Sequence, residues 1–304
     1  SLESFLILEM IFFCLSGIIL TSSTFIPHLL LSHSLIKLVF LSFVLPDKIS
    51  LPIIKIAAFT FLNFFFIDYQ LYMNFENILI LGKFIKRYKR FFADVKVNNN
   101  IIKTHCPNTG SMMGLLNKGN RVWISKSGNP NRKLSYTLQI IESNKSKVGI
   151  NTHFTNKIVL EALSKKMIKT FENYENIKTE FKFGDNTRFD FLVTEKNKKS
   201  IIEVKNVTLS RDKGIAEFPD AITSRGLKHL NELLKAYKKG FKIYLLFLIQ
   251  REDCKTLRIA GDIDPEYRKL IIKAIKNKLN VLCYDCKFTS KGIKLNQQIE
   301  FRIV

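Results

Sequence analysis

Apolar and polar positions alternate with period two through "TRFDFLVTEKNKKSIIEVKNVTL", Thr187 to Leu209, which predicts two strands joined by the polar "TEKNKKS". Strand alternation sends Glu203 and Lys205 to one face while Ile202 and Val204 face the other. The same rule separates Asp190 from Phe189 and Phe191. A hairpin with an even-length loop sets Asp190 across from Glu203 or Lys205 on that face. Charges placed among apolar strand positions need a partner, water or a metal ion.

Further along, "FKIYLLFLIQ" is too continuously apolar for a half-exposed strand and predicts a central one, covered on both faces. "NKIVLEALSKKMI" has helical spacing, with Ile158, Leu160, Ala162, Leu163 and Met167 mostly on one side. "FPDAITSRGLKHLNELLKAYKKG" predicts a helix opened by Pro219 and Asp220, with Leu227, Leu230, Leu234 and Tyr237 inward and Gly240 as its stop. "PEYRKLIIKAIKNKL" predicts another helix and "NVLCYDC" a strand. Before these, "GKFIKRYKRFFADVKVNNNIIKTHCP", "RVWISKSG", "LSYTLQIIES" and "KVGI" give about five short strands, with a hairpin turn at Asn98 to Asn100. That pattern fits a small β-barrel such as an OB-fold, and other small barrels share it.

The organisation is therefore residues 73–150 as a small barrel and 151–304 as an α/β domain with a mixed sheet. Residues 1–72 differ. They carry few charges, and none falls between Met10 and Ile36. Three explanations compete for them: a membrane anchor, a targeting segment, or an upstream stretch read through with the start at Met73. A targeting segment fits poorly, since the stretch lacks a transit peptide's Arg-rich, acidic-poor pattern and is long for a signal peptide; the third explanation is preferred, with the opening Ser1 in its support, and an anchor comes next.

Charge sharpens the picture. Forty-eight Lys and Arg against 26 Asp and Glu give +22, and all of that excess falls after residue 72. Such a balance favours a polyanionic partner, nucleic acid or an anionic membrane surface, and with DNA as that partner a cytoplasmic, nucleoid-associated setting is expected. A membrane enters only if residues 1–72 are translated, which would make this a membrane-anchored basic protein. Five cysteines at irregular spacing exclude a secreted disulfide framework, and the lone "CYDC", Cys283 and Cys286, lacks the second pair a zinc site needs. Both are read as strand-core residues.

Asp190, Glu203 and Lys205 form the Asp…Glu-x-Lys pattern of a metal-dependent nuclease. Asp190 and Glu203 are candidate ligands to Mg²⁺ or Mn²⁺, with the Val204 carbonyl available, and Lys205 would orient or deprotonate the attacking water. Glu161, on the preceding helix, is a candidate further ligand, and Gln250 a candidate neighbour. Arg225, Lys228, His229 and Lys235 on the following helix, Arg87, Lys89 and Arg90 in "RYKRFF", and Arg132 and Lys133 in "NPNRK" are candidate phosphate contacts, with His229 by itself read as a helix-surface or core-edge residue. "HCPNTGSMMG" is a turn-rich loop whose backbone N–H groups are candidates to cradle a phosphate. No motif calls for a small-molecule cofactor.

The segments "KRYKRFFADV", "THCPNTGSMMG", "VWISKSGNPNRKLSYT", "VGINTH", "EALS", "RFDFLV", "EVKNVTL", "FPDAITSRGLKHLNEL", "FLIQR" and "IDPEY" resemble, in order, the sugar fermentation stimulation protein (SfsA) family. The resemblance implies an N-terminal OB-like barrel, a PD-(D/E)XK nuclease-type α/β (α+β) domain with a mixed central sheet, DNA binding, and regulation of sugar, especially maltose, metabolism. It places the nuclease-like motif on Asp190, Glu203 and Lys205, with Glu161 as helix carboxylate. Residues 1–72 lie outside it. A DNA-binding regulator with an intact nuclease-like site and an active Mg²⁺-dependent deoxyribonuclease both fit.

Overall fold

A computed structural model describes residues 74, 75, 77–184 and 187–303. The expectations about residues 1–72 lie outside the described residues. Among those described, no helix is long and apolar enough to cross a membrane.

The chain begins with six strands: β1 (Ile80–Tyr88), β2 (Phe92–Val97), β3 (Asn100–His105), β4 (Arg121–Lys126), β5 (Tyr136–Ser143) and β6 (Ser146–Gly149). Their order is β3-β2-β1-β4-β5-β6, and pairing of His105 with Thr137 joins β3 to β5, closing β1 to β5 into a five-stranded barrel. Alternation fills it. Ala93 and Val95 from β2 and Val122 and Ile124 from β4 point inward, around Phe84, Leu138 and Ile141. Gly82 lets β1 and β2 close up, since a Cβ there would stand 2.5 Å from Val95 Cγ1. Asn98 and Asn99 make the β2–β3 turn, Asn98 at φ 53°, and Asn100 already pairs with Val97.

A single 3₁₀ turn (Thr152–Phe154) leads into α1 (Thr155–Ser164). Then come β7 (Asn176–Phe183), β8 (Thr187–Glu195), β9 (Lys198–Val207), β10 (Ile215–Phe218), α2 (Ser224–Lys238), β11 (Lys242–Ile249), β12 (Thr256–Ile259), α3 (Pro265–Lys276), β13 (Asn280–Phe288), β14 (Ile293–Gln298) and β15 (Glu300–Arg302). Six strands form one mixed sheet in the order β14-β13-β11-β9-β8-β7, with β9, β11 and β13 parallel and the outer pairs antiparallel. Strands β10, β12 and β15 make a small parallel sheet beside it.

Helix α1 covers one face of the mixed sheet, and α2 and α3 cover the other. Tyr244, Leu246 and Leu248 of β11 pack with Ile158 and Val159 of α1. Ile243, Leu245, Phe247 and Ile249 pack with Leu230 and Leu233 of α2 and Ile271 of α3. Two-sided burial is why "KIYLLFLI" reads as unbroken apolar sequence. Cys283 and Cys286 are both buried but belong to opposite faces of β13, so they cannot close on one ion, and burial pushes both thiols up.

Two helix readings change. Helix α2 starts at Ser224 and not at Pro219, because Thr223 caps it, its side chain accepting from Gly226 N. Its buried stripe is Gly226, His229, Leu230, Leu233 and Ala236, while Leu227 and Leu234 are half-buried and Tyr237 is exposed. The helix is turned so that His229 meets β9. Helix α1 ends at Ser164, which leaves Met167 exposed, and Leu160 is only half-buried.

The barrel joins the second part where β6 ends. Gly149 N donates to Gln250 O at 2.9 Å, and Val148 bridges to Arg251. A Cβ at position 149 would stand 2.2 Å from Gln250 Oε1, so any other residue there would displace the buried Gln250 side chain. The loop after β3 thus lies beside the end of β9, where Thr152 Oγ1 donates to Pro107 O.

Candidate active site in the cleft between the barrel loop and the β8–β9 hairpin

Strands β8 and β9 are joined by a two-residue turn, since Glu195 pairs with Lys198, and the register runs to Phe191 opposite Ile202. One step further stand Asp190 and Glu203, on the face opposite those two residues. There the ladder gives way to a side-chain bond. Asp190 Oδ2 accepts from Val204 N at 2.7 Å, and Asp190 Oδ1 accepts from Asn156 Nδ2, on α1, at 2.7 Å.

Glu203 is buried, with 2% of its surface exposed. Lys205 Nζ donates to its Oε1 at 2.6 Å, and His229 Nδ1 reaches the same oxygen from α2. Arg225 Nε donates to His229 Nε2 at 3.5 Å. These contacts suit one tautomer, with the hydrogen on Nδ1 and the lone pair on Nε2. Lys205 and His229 then share one acceptor. Glu203 Oε2 is buried with no partner.

Electrostatics divides the two carboxyls. Burial, then the Glu203 charge, push Asp190 up to about 6, against the Val204 N–H and the Asn156 amide. Burial pushes Glu203 the same way, yet the His229 bond and the Lys205 ammonium outweigh it and hold its carboxyl below the ordinary value. Tyr267 OH is also buried and unpartnered, its ionisation opposed by burial and then by the Glu203 charge.

These groups open into a cleft of about 330 Å³ lined by Asn108, Thr109 and Gly110 of the barrel loop, by Thr152, by Asp190 and the run from Glu203 to Leu209, and by Glu217, Phe218, Asp220 and Arg225. A wider depression of about 570 Å³ lies over Arg211, Arg258, Asp262 and Arg268. Its charge is spent internally. Arg211 pairs with Glu217 and Asp262, and Arg258 with Asp212 and Glu217, which makes it a structural ion-pair network.

The structure thus brings Asp190, Glu203, Lys205 and Arg225 to one cleft and leaves the other candidates around it. Glu161 is buried on α1, where its Oε1 accepts from Lys165 Nζ at 2.6 Å. It lies five residues beyond Asn156, roughly 140° round the helix and about 7.5 Å along it, and does not line the cleft. Among the described residues, no three His, Cys, Asp or Glu side chains form a ready-made cation cage. Gln250 Nε2 donates to Thr155 Oγ1 and to Asn206 Oδ1, so it reaches the cleft wall through Asn206.

Arg87 is engaged within the protein, donating to the carbonyls of Asn108, Gly110 and Arg90. Lys89 and Arg90 are exposed on the β1–β2 turn, Lys133 is exposed, and Arg132 Nη2 lies 3.1 Å from His105 Nδ1. Lys228 is exposed one turn beyond Arg225. The loop "HCPNTGSMMG" is not an open phosphate cradle, because the N–H groups of Gly110, Met112 and Met113 already donate to Asn108 Oδ1, Asp220 Oδ2 and Ser111 Oγ. His229 and Asn156 complete the site: the sequence suggested the first as a phosphate contact beside it, whereas the buried ring bonds Glu203, and it did not single out the second.

Residues 85–150 match the family described as "SfsA N-terminal OB domain", and residues 153–292 match "Sugar fermentation stimulation protein RE domain". The chain belongs to the sugar fermentation stimulation protein (SfsA) family. A sugar fermentation stimulation protein homolog of Pelagibacter ubique (strain HTCC1062) is 53% identical over 228 residues, covering 75% of this chain and 98% of that protein. The homolog from Brucella anthropi is 41% identical over 229 residues, covering 75% and 99%. The solved structure of Pyrococcus furiosus SfsA in complex with Ca²⁺ superposes with a TM-score of 0.68 at 20% identity, covering 76% of this chain and 98% of that one. It shares the SfsA fold.

Proposed function

We propose that this SfsA-family protein binds DNA and hydrolyses its phosphodiester bonds in the cleft, at Asp190, Glu203 and Lys205, with a divalent cation as cofactor. The observation that carries this reading is the buried, unpartnered Glu203 Oε2, close enough to Asp190 for the charge of Glu203 to raise the Asp190 pKa. Two carboxyls in mutual repulsion, one with an idle oxygen, are the donor set a hard cation relieves, so the residues fit Mg²⁺ or Mn²⁺. The Ca²⁺ in the Pyrococcus furiosus relative is in keeping with this.

Asp190 and Glu203 would hold the ion. When bound, such an ion neutralises charge developing on the phosphate and acidifies a water molecule. In the hydrolysis, water's oxygen forms a bond to phosphorus, the ester P–O bond breaks, and a proton from water ends on the leaving oxygen. Lys205, anchored by its bond to Glu203 Oε1, is placed to orient that water. Arg225 at the mouth holds a non-bridging phosphate oxygen. His229 fixes the Glu203 carboxylate.

Labelled single-stranded DNA and supercoiled plasmid, each incubated with the full chain, test this. Cleavage of either in Mg²⁺ or Mn²⁺ that chelator abolishes is expected, and both DNAs left intact in every condition would defeat the reading. A second reading rests on the basic excess of the chain. On that reading the chain is a cytoplasmic DNA-binding regulator of sugar, especially maltose, metabolism, as the family resemblance implies, and the cleft charges serve structure alone.

A further inference from the structure

The cleft has one wall from each part of the molecule, and the barrel wall is tied down. Arg87 donates to Asn108 O at 2.7 Å and to Gly110 O at 3.0 Å. From the other side, Ser111 Oγ donates to Asp220 O at 2.8 Å, and Asp220 Oδ2 accepts from Met112 N at 3.3 Å. A loop bonded along both edges is a fixed wall over the carboxylates.

Size then selects the substrate. A cleft of about 330 Å³ lies at the small end of the range for small-ligand sites, roughly 300–1,000 Å³, and suits one nucleotide unit. A duplex presents its phosphates with a second strand alongside, and a cleft walled by Asn108, Thr109 and Gly110 on one side and by the β9 run on the other leaves less room for two strands than for one. The rim carries a second sign. Met113, two residues after Ser111, and Ile222, two after Asp220, are large apolar side chains with 44% and 79% of their surface exposed. The Ser111–Asp220 bond ties together the two segments that carry them, and Asp220 itself lines the cleft. Apolar side chains beside a phosphate-binding cleft suit base faces, which only an unpaired strand offers.

The geometry points to a single DNA strand as the substrate of this site, one nucleotide lying between the barrel loop and the β8–β9 hairpin and its unpaired neighbours resting on Met113 and Ile222. This rests on the hydrolytic reading above for its chemistry, though not for its binding geometry.

Three labelled DNAs of equal length test it with the full chain: a single strand, a blunt duplex, and a duplex with a single-stranded tail. Binding is read by fluorescence anisotropy in Ca²⁺ and cleavage in Mn²⁺. The single strand and the tail should be bound and cut on the order of tenfold or more in preference to the blunt duplex. Replacing Met113 and Ile222 together by Ala should lower single-strand affinity on the order of tenfold while leaving the salt dependence and the melting temperature unchanged. Ser111→Ala, which loosens the wall, should narrow the difference between single strand and duplex. Equal binding and cutting of blunt duplex and single strand would overturn the inference. Single-strand preference in binding with no cleavage of any DNA would sustain it and defeat the hydrolytic reading instead.

Discussion

The backbone N–H of Val204 donates to the Asp190 carboxylate at 2.7 Å, so the strand carrying Glu203 and Lys205 is bonded to the side chain of the acid opposite it. This locks the two carboxyls together, and it sets a pH dependence. The Asp190 pKa rises from 3.8 to about 6 on folding, through burial and then the Glu203 charge. In chelator its contribution is therefore most favourable below the unfolded value and is lost as pH rises through the folded one, an effect of about 3 kcal/mol at most by pH 7. Asp190→Asn should flatten that decline and melt higher than the parent at pH 7 without metal. Added Ca²⁺ or Mg²⁺ should raise the parent's melting temperature at pH 7 far more than the variant's. Parallel melting curves for the two proteins across pH 4 to 7 would show that Asp190 does not carry the charge strain.

His229 donates to the oxygen that Lys205 also uses, and so it shares the task of holding a buried carboxylate. His229→Ala leaves that charge with one donor in a buried site, and should cost about 1–3 kcal/mol in chemical denaturation. Cleavage should fall with it. DNA affinity and its salt dependence should change little, because His229 is buried while Arg225 and Lys228, exposed cations of this helix, remain. His229→Gln, which can restore an N–H to Glu203, should recover part of the stability.

Arg225 and Lys228 belong to the exposed side of α2, whereas Arg87 is braced against loop carbonyls. Their substitutions should therefore separate cleanly. Arg225→Ala and Lys228→Ala should each weaken DNA binding and reduce the slope of log affinity against log salt by about 1, with little change in melting temperature. Arg87→Ala should leave the slope nearly intact and destabilise the fold by about 1–3 kcal/mol through the orphaned carbonyls. Titrations of labelled DNA at four salt concentrations, with melts in parallel, check both.

Much of this was legible from periodicity. Alternation placed Asp190, Glu203 and Lys205 on one face of a hairpin, and the unbroken apolar run of β11 announced a strand covered on both sides. What escaped depends on helix phase and on tertiary contact. In α2 the leucines at 227, 230 and 234 suggested a stripe that missed His229, because the helix turns to set Gly226 and His229 against its neighbours. In α1 the sequence offered Glu161 as the acid, while the side chain that reaches Asp190 is Asn156, which carries no charge to draw notice. Strands β10, β12 and β15 span three or four residues each, too few for any period to show. The barrel loop's place in the cleft depends on Arg87 and on Asp220, 109 residues from Ser111, a distance no local pattern spans.

The most direct test of the central claim is metal-dependent cleavage by the parent protein beside Glu203→Gln and Lys205→Ala, each shown to be folded and to bind DNA. Cleavage in Mn²⁺ by the parent, absent in chelator and reduced on the order of 100-fold or more in both variants, is the predicted result. Cleavage that persists unchanged in both variants would place the chemistry elsewhere and contradict the account.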